Sequence, residues 1–439
     1  MKKGFLQIYL ILATLLLGAV FLGFLFKTDI SYAYFFGTPY DTFMDYYNCI
    51  SGASLSVSYR YDNIYPPLCW IIFDICRLLS SDIRTTLNEV DGNVSMLKLH
   101  QAPTMIFTVL LMICFVLIYC FISELWDFKK VQKQWAILLL MLSVPFLFLI
   151  ERGNILLLSF LATLAFFVMK DSERKWIRNI GYLCLAVAAA LKIYPAIFGF
   201  VLIKDKKYKE AGRLAIFGLA VFIIPFLLFC EEGMGGILLF FKNLLGFNAA
   251  YSDTIANQVA LENGAMEGIN QVIDANVNDG SRIGYAAFME HLFMWFGMSI
   301  GTATRMAAKL GIMLSVVAFI AAFFARKKWQ VILLFSCVLT GFQSRSYVYT
   351  AVFMIIPFIF FLREEKREGW NYLYFILMIL ILFPLPLGWT DHLHELCYYI
   401  RHRSFNALQM GGALWGITIV SLVEILIRYI IKVRKHKKA

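Results

Sequence analysis

Apolar runs long enough to cross a hydrocarbon core about 30 Å thick recur from one end of this chain to the other, separated by short basic segments. In lipid every backbone N–H and C=O must be bonded within the protein, so repeated runs of this kind fold as packed helices. Sixty per cent of the 439 residues are apolar and 16% are charged, with a mean hydropathy of +0.71. The sequence therefore predicts an all-α polytopic membrane protein, built as a single integral-membrane domain over residues 1–439. The first run, "GFLQIYLILATLLLGAVFLGFLF", lacks a small-residue cleavage site and is expected to be a retained helix. Nine cysteines without regular spacing suggest neither a disulfide framework nor a zinc site, and no metal is expected.

The net charge of +11 is distributed in a way that excludes a nucleic-acid groove. Most Lys and Arg residues fall in segments 1–4, 124–135, 170–179, 204–213, 325–329, 363–371 and 428–439. Such clusters mark cytoplasmic loops. Placing all seven inside gives about twelve crossings, some of them short or broken, with both termini cytoplasmic. A first outer loop then spans 27–102, helices fill 103–230, a second outer loop spans 231–303, and C-terminal helices with a basic tail complete 304–439. The first outer loop carries eight acids against five bases, and the second eight against two, as that sidedness requires.

Parity holds only if 180–203, which joins two basic loops, is broken. Within it "AAALKIYPAIF" sets Lys192 alone among uncharged residues, three places before Pro195. Proline removes a backbone donor and clashes with the preceding turn, so the break is expected at "KIYP". Arg152, in the polar tip "ERGN", and Arg345, in "QSRSY", fall at outer turns as well. Cations at membrane depth face a shared cavity more often than lipid, and the simplest ligand for these three is a lipid phosphate. Snorkelling of each to an interface is the plain alternative.

Residues 32–73 are rich in aromatics, and "YDTFMDYY" places Asp41 and Asp45 four apart, on one face of a helix. A carboxylate held among aromatics above the membrane suits a general base. The alternative is an interfacial aromatic belt with aspartates that cap a short helix. Residues 66–79, interrupted by Asp74 and Arg77, are too short to span and are expected in the interface.

Taken in order, "FMDYYN", "YPP", "IERGNILLL" and "AAALKIYPAIF" followed by a basic loop resemble glycosyltransferase family 87. This is the polyprenyl-phosphate-mannose-dependent, α-1,2-mannosyltransferase-like branch of the membrane GT-C enzymes. The likeness covers residues 5–230 and weakens beyond. It implies a GT-C fold with its site on the extracytoplasmic side of the cell membrane. A hexosyl group, by this likeness mannosyl, would pass from a polyprenyl-phosphate donor to a lipid or glycan acceptor with inversion. Asp45 would be the general base, and Arg152, Lys192 and Arg345 would hold the donor phosphate. Asp41, Tyr40, Tyr46, Tyr47, Asn154, Tyr194 and Arg282 would line the substrate site. Where members often carry histidine in the late hairpin, this chain has Tyr347 and Tyr349. No nucleotide-binding signature occurs in a cytoplasmic loop, which agrees with a lipid-linked donor.

Two rival readings stay open. A lipid-linked oligosaccharide flippase or transporter would call for a repeat with broken helices in both halves, and only 186–200 is broken. An O-antigen-polymerase-like enzyme shares the topology and the anionic lipid but needs neither the first-loop Asp nor "KxYP". His392, His394 and His402 lack matched partners for a metal, and Glu424 is expected to be paired or interfacial.

Overall fold

The computed structural model describes residues 4–26, 34–35, 42–53, 56–60, 63–80, 94–99, 101–246, 282–343, 346–364, 369–385 and 402–436. Tyr40, Asp41, Arg345, His392 and His394 lie outside them. The described chain is helical apart from turns and one pair of two-residue strands. Among the described residues five helices are long and apolar enough to cross a membrane: those containing Leu6–Gly23, Gln101–Leu125, Tyr208–Phe229, Gly301–Phe324 and Leu408–Val433. Lys130–Met141 and Val144–Arg152 together make a sixth when counted as one bent span.

These helices are apolar on both sides, which a soluble bundle would not tolerate. On Gln101–Leu125, Met105, Val109, Met112 and Val116 form an exposed stripe, while Phe107, Cys114, Ile118 and Ile122 are buried. Residues three or four apart share a helix face, so one face packs on protein and the other is left for lipid.

Contacts divide the chain into two units. One comprises Met1–Phe36, Phe128–Leu147 and Ala250–Ala439. Its core is aromatic: Phe5 meets Phe361 and Phe375, and Trp329 meets Tyr374 edge-on. Glu424 is paired there, accepting bonds from Gln330, Tyr374 and Arg428. Arg282–Ile283 and Ser346–Tyr347 form the strand pair, antiparallel, with Arg282 opposite Tyr347.

The other unit comprises Gly37–Asp127 and Phe148–Ala249. The Leu156–Met169 helix packs on Gln101–Leu125 and on Lys175–Leu191, and the latter packs on Tyr208–Phe229. Lys175–Leu191 ends where the sequence predicts, at Lys192, and a 3-10 turn over Tyr194–Gly199 leads to the short Phe200–Lys204 helix. The tip between Val144–Arg152 and Leu156–Met169 likewise falls in the "ERGN" stretch. Pro67–Leu79 is one continuous helix, because the buried Asp74 is bonded by Arg77 one turn on. Its exposed side carries Ile75, Leu78 and Leu79.

Candidate functional site

The site is built on two short stretches that the chain brings together across more than a hundred residues. The first is the Met44–Gly52 helix, which carries Asp45 in its first turn, where a negative charge complements the helix dipole. The residue before it, Phe43, adopts a left-handed conformation with φ 61°. That conformation costs a bulky residue roughly 1–2 kcal/mol. It is held by a bond from the Phe43 N–H to the carbonyl of Glu151, 2.5 Å long.

The second stretch is the tip Arg152–Gly153–Asn154. Arg152 Nη2 donates to Asp45 Oδ1 at 2.6 Å, and Asn154 Nδ2 donates to Oδ2 at 2.7 Å. Asn154 Oδ1 accepts the Leu156 N–H at 3.0 Å, which orients its amide toward the carboxylate. Between them Gly153 has φ +64°, and a Cβ there would lie 3.0 Å from Tyr46 Cβ and 3.2 Å from the Phe43 Cα. Glycine is thus required twice over, by conformation and by space. The "RGN" motif has a physical reading: a glycine turn seats itself on the aspartate's own helix, and the residues on either side grip the carboxylate.

Lys192 reaches the same unit from the broken helix. Its backbone is extended, φ −147° and ψ 124°, which carries the side chain off the helix face. Its Nζ lies 3.9 Å from the centre of the Tyr65 ring. The Cys49 thiol reports the surrounding field: burial pushes it up to about 12, the Asp45 carboxylate acts in the same direction, and the Lys192 ammonium opposes both.

The remaining expected site residues separate. Tyr46 and Tyr47 are each 1% exposed in the core, Tyr46 stacked on Phe107 with centroids 4.6 Å apart. Their hydroxyls bond the Pro103 carbonyl and Thr104. Both rings, expected against a sugar, pack in the core here, because the helix turns its apolar face inward. Tyr194 is half-buried and opens the 3-10 turn. Arg282, in the other unit, is buried and bonded to Glu290 at 3.1 Å.

Sequence reasoning missed Tyr65 and the anchor around Glu232. Ser58 Oγ, the Tyr59 N–H and Cys230 Sγ all bond Glu232, at 2.7, 3.2 and 3.1 Å. The backbone of Val57 also bridges to Cys230. The tyrosine of "YPP" was the only available signal.

Helices of membrane-crossing length, with a carboxylate on a short helix gripped from a neighbouring turn, define an integral-membrane protein with a charged site. Residues 94–340, more than half of the chain, match the model of glycosyltransferase family 87, and the chain belongs to that family. It is a membrane glycosyltransferase, acting on a sugar donor and an acceptor in a lipid environment. The match takes in Arg152, Asn154, Lys192 and Arg282, and runs past 230, where the motifs alone had weakened. Asp45 precedes the matched region and is tied to it by Arg152 and Asn154. No curated protein matches the chain.

Proposed function

We propose that this glycosyltransferase transfers a hexosyl group, by family resemblance mannosyl, from a polyprenyl-phosphate carrier to a hydroxyl of a lipid or glycan acceptor. The observation that carries the reading is the grip of Arg152 and Asn154 on Asp45, with Lys192 held over the Tyr65 ring in the same unit. Asp45 is the base. Each of its oxygens holds one donor, and a carboxylate accepts about four hydrogen bonds, so lone pairs remain for an acceptor hydroxyl. That hydroxyl gives its proton to Asp45 as its oxygen bonds the anomeric carbon. The bond from that carbon to the phosphate oxygen breaks, and its electron pair leaves with the polyprenyl phosphate. One displacement inverts the anomeric centre.

Lys192 meets the phosphate and offsets the charge it gains. Arg345, outside the described residues, is assigned the same task, and Arg152 contributes charge from beside the base. An apolar cavity of about 220 Å³ lies between the segments on either side of the Lys192 break and the Tyr208–Phe229 helix, lined by Ala189, Ala196, Gly199 and Leu214 among others. It suits a hydrocarbon chain. The reading keeps about twelve crossings, cytoplasmic termini and an extracytoplasmic site.

The test is to incubate purified protein with labelled polyprenyl-phosphate hexoses and candidate acceptors. Asp45→Asn should lower transfer at least about 100-fold, as loss of a general base does, while donor binding is kept. Normal turnover by that variant would remove Asp45 from the chemistry.

A further inference from the structure

The contact between Lys192 and Tyr65 has no part in the reaction as drawn above. Among the described residues no carboxylate lies within ion-pair distance of the Lys192 ammonium, and the Tyr65 ring is the partner it has. A carboxylate partner would hold a lysine by neutralising it. An aromatic face holds it through the ring quadrupole and leaves the full positive charge for an incoming anion.

The residue is itself held, twice through its backbone and once through its ring. Pro66 follows it with φ −60° and ψ 157°, and Pro67 begins the next helix, so the backbone at Tyr65 is restricted to extended forms. The Tyr65 carbonyl accepts a bond from the Tyr59 hydroxyl at 2.7 Å, and its ring meets Trp70 edge-on at 6.1 Å. Tyr59 is fully buried and fixed in turn, its N–H on Glu232 and its carbonyl accepting from Asn243 at 2.8 Å. A chain of contacts thus runs from the segment after the Tyr208–Phe229 helix, through Tyr59 and Tyr65, to the ammonium.

We propose that Tyr65 is a positioning residue, whose ring holds the Lys192 ammonium where it meets the phosphate of the lipid-linked donor. The proposal rests on the donor reading above. Glu232 and Asn243 act through Tyr59 to keep the ring in place.

The experiment compares Tyr65→Leu, which removes the aromatic face, with Tyr65→Phe, which keeps it, in the full-length protein reconstituted in nanodiscs. Binding of a labelled polyprenyl-phosphate hexose should weaken about 2- to 30-fold in Tyr65→Leu, with kcat at saturating donor little changed. Tyr65→Phe should stay close to the parent. In a Lys192→Ala background, Tyr65→Leu should add no further loss, because the ring has nothing left to hold. A second readout needs no donor: the rate of acylation of Lys192 by an amine reagent, followed by mass spectrometry, should change in Tyr65→Leu and not in Tyr65→Phe. Equal losses in both backgrounds with an unchanged acylation rate would overturn the role given to Tyr65. Failure of the parent protein to bind the probe, with the acylation rate still responding to Tyr65→Leu, would overturn the donor reading and the purpose given to the ring.

Discussion

Arg152 Nη2 stands 2.6 Å from Oδ1 of Asp45, a bond between residues 107 positions apart in the chain. The sequence places Arg152 at an outer turn as a clamp for an incoming phosphate. In the folded protein its guanidinium reaches the carboxylate first. Both side chains are largely covered, 23% and 16% exposed, so the bond acts in a medium less polar than water. A lone carboxylate at that depth would be costly, and Arg152 offsets the cost while it orients the group.

Asn154 has the opposite oxygen, and its loss separates orientation from charge. Asn154→Ala should lower kcat about 10- to 100-fold, the worth of a hydrogen bond to a charged group, with donor affinity within about twofold of the parent. Single-turnover transfer and equilibrium donor binding, measured side by side, check this. A large loss of donor affinity with kcat intact would move Asn154 from the base to the donor.

Gly153→Ala should damage the site without touching any reacting group. The new Cβ meets Tyr46 at 3.0 Å in a backbone of φ +64°. The tip must lift from the Met44–Gly52 helix, and about 1–3 kcal/mol of stability should be lost. Thermal unfolding in detergent reads the stability, and transfer should fall with it. A variant with parent-like melting and activity would show that the close seat is dispensable.

The Glu232 anchor has a pH dependence of definite sign. Burial alone would raise this carboxyl, but bonds from Ser58, Cys230 and the Tyr59 N–H outweigh it and hold the group below the usual carboxylate range. A carboxyl lowered on folding contributes stability above its unfolded pKa, about 4.3, and loses it as pH falls through the folded value. Hydrogen exchange of residues 56–60, corrected for intrinsic rate, should be steady from neutral pH to about 5 and accelerate severalfold below about 4. In Glu232→Gln the profile should be flat and less protected throughout.

Sidedness is testable at two exposed positions of the same unit. Asn48 lies on the Asp45 helix, and Lys209 in the first turn of Tyr208–Phe229. A membrane-impermeant thiol reagent should label Asn48→Cys in intact cells, above the background of the parent chain, and Lys209→Cys only after permeabilisation. The reverse pattern would put Asp45 on the cytoplasmic side.

Some features of the site were legible before folding and others were not. The break at Lys192 follows from Pro195 and from parity between basic loops, and the tip at 151–154 follows from polar residues interrupting an apolar run. The second break, at Leu142 and Ser143, carries no charge and is not among the expected breaks, although Pro145 in the first turn of the next helix marks it. There the Ser143 hydroxyl bonds the Leu140 carbonyl at 2.6 Å, a local competitor that hydropathy does not register. The strand pair Arg282–Ile283 with Ser346–Tyr347 is too short to leave a period-two pattern. Tyr46 and Tyr47 are expected from the sequence to line the substrate site, and their burial in the core depends on partners far along the chain, Pro103, Thr104 and Phe107.

What the sequence by itself determined is the medium and the places where helices stop. Hydropathy, charge clusters, proline and glycine act over a turn or a span, and their effect does not wait for distant residues. Which groups meet Asp45 and Lys192 was decided only by tertiary structure. An arginine, an asparagine and a tyrosine ring reach those charges from far along the chain, and only packing selects them among the many side chains of the same chemistry.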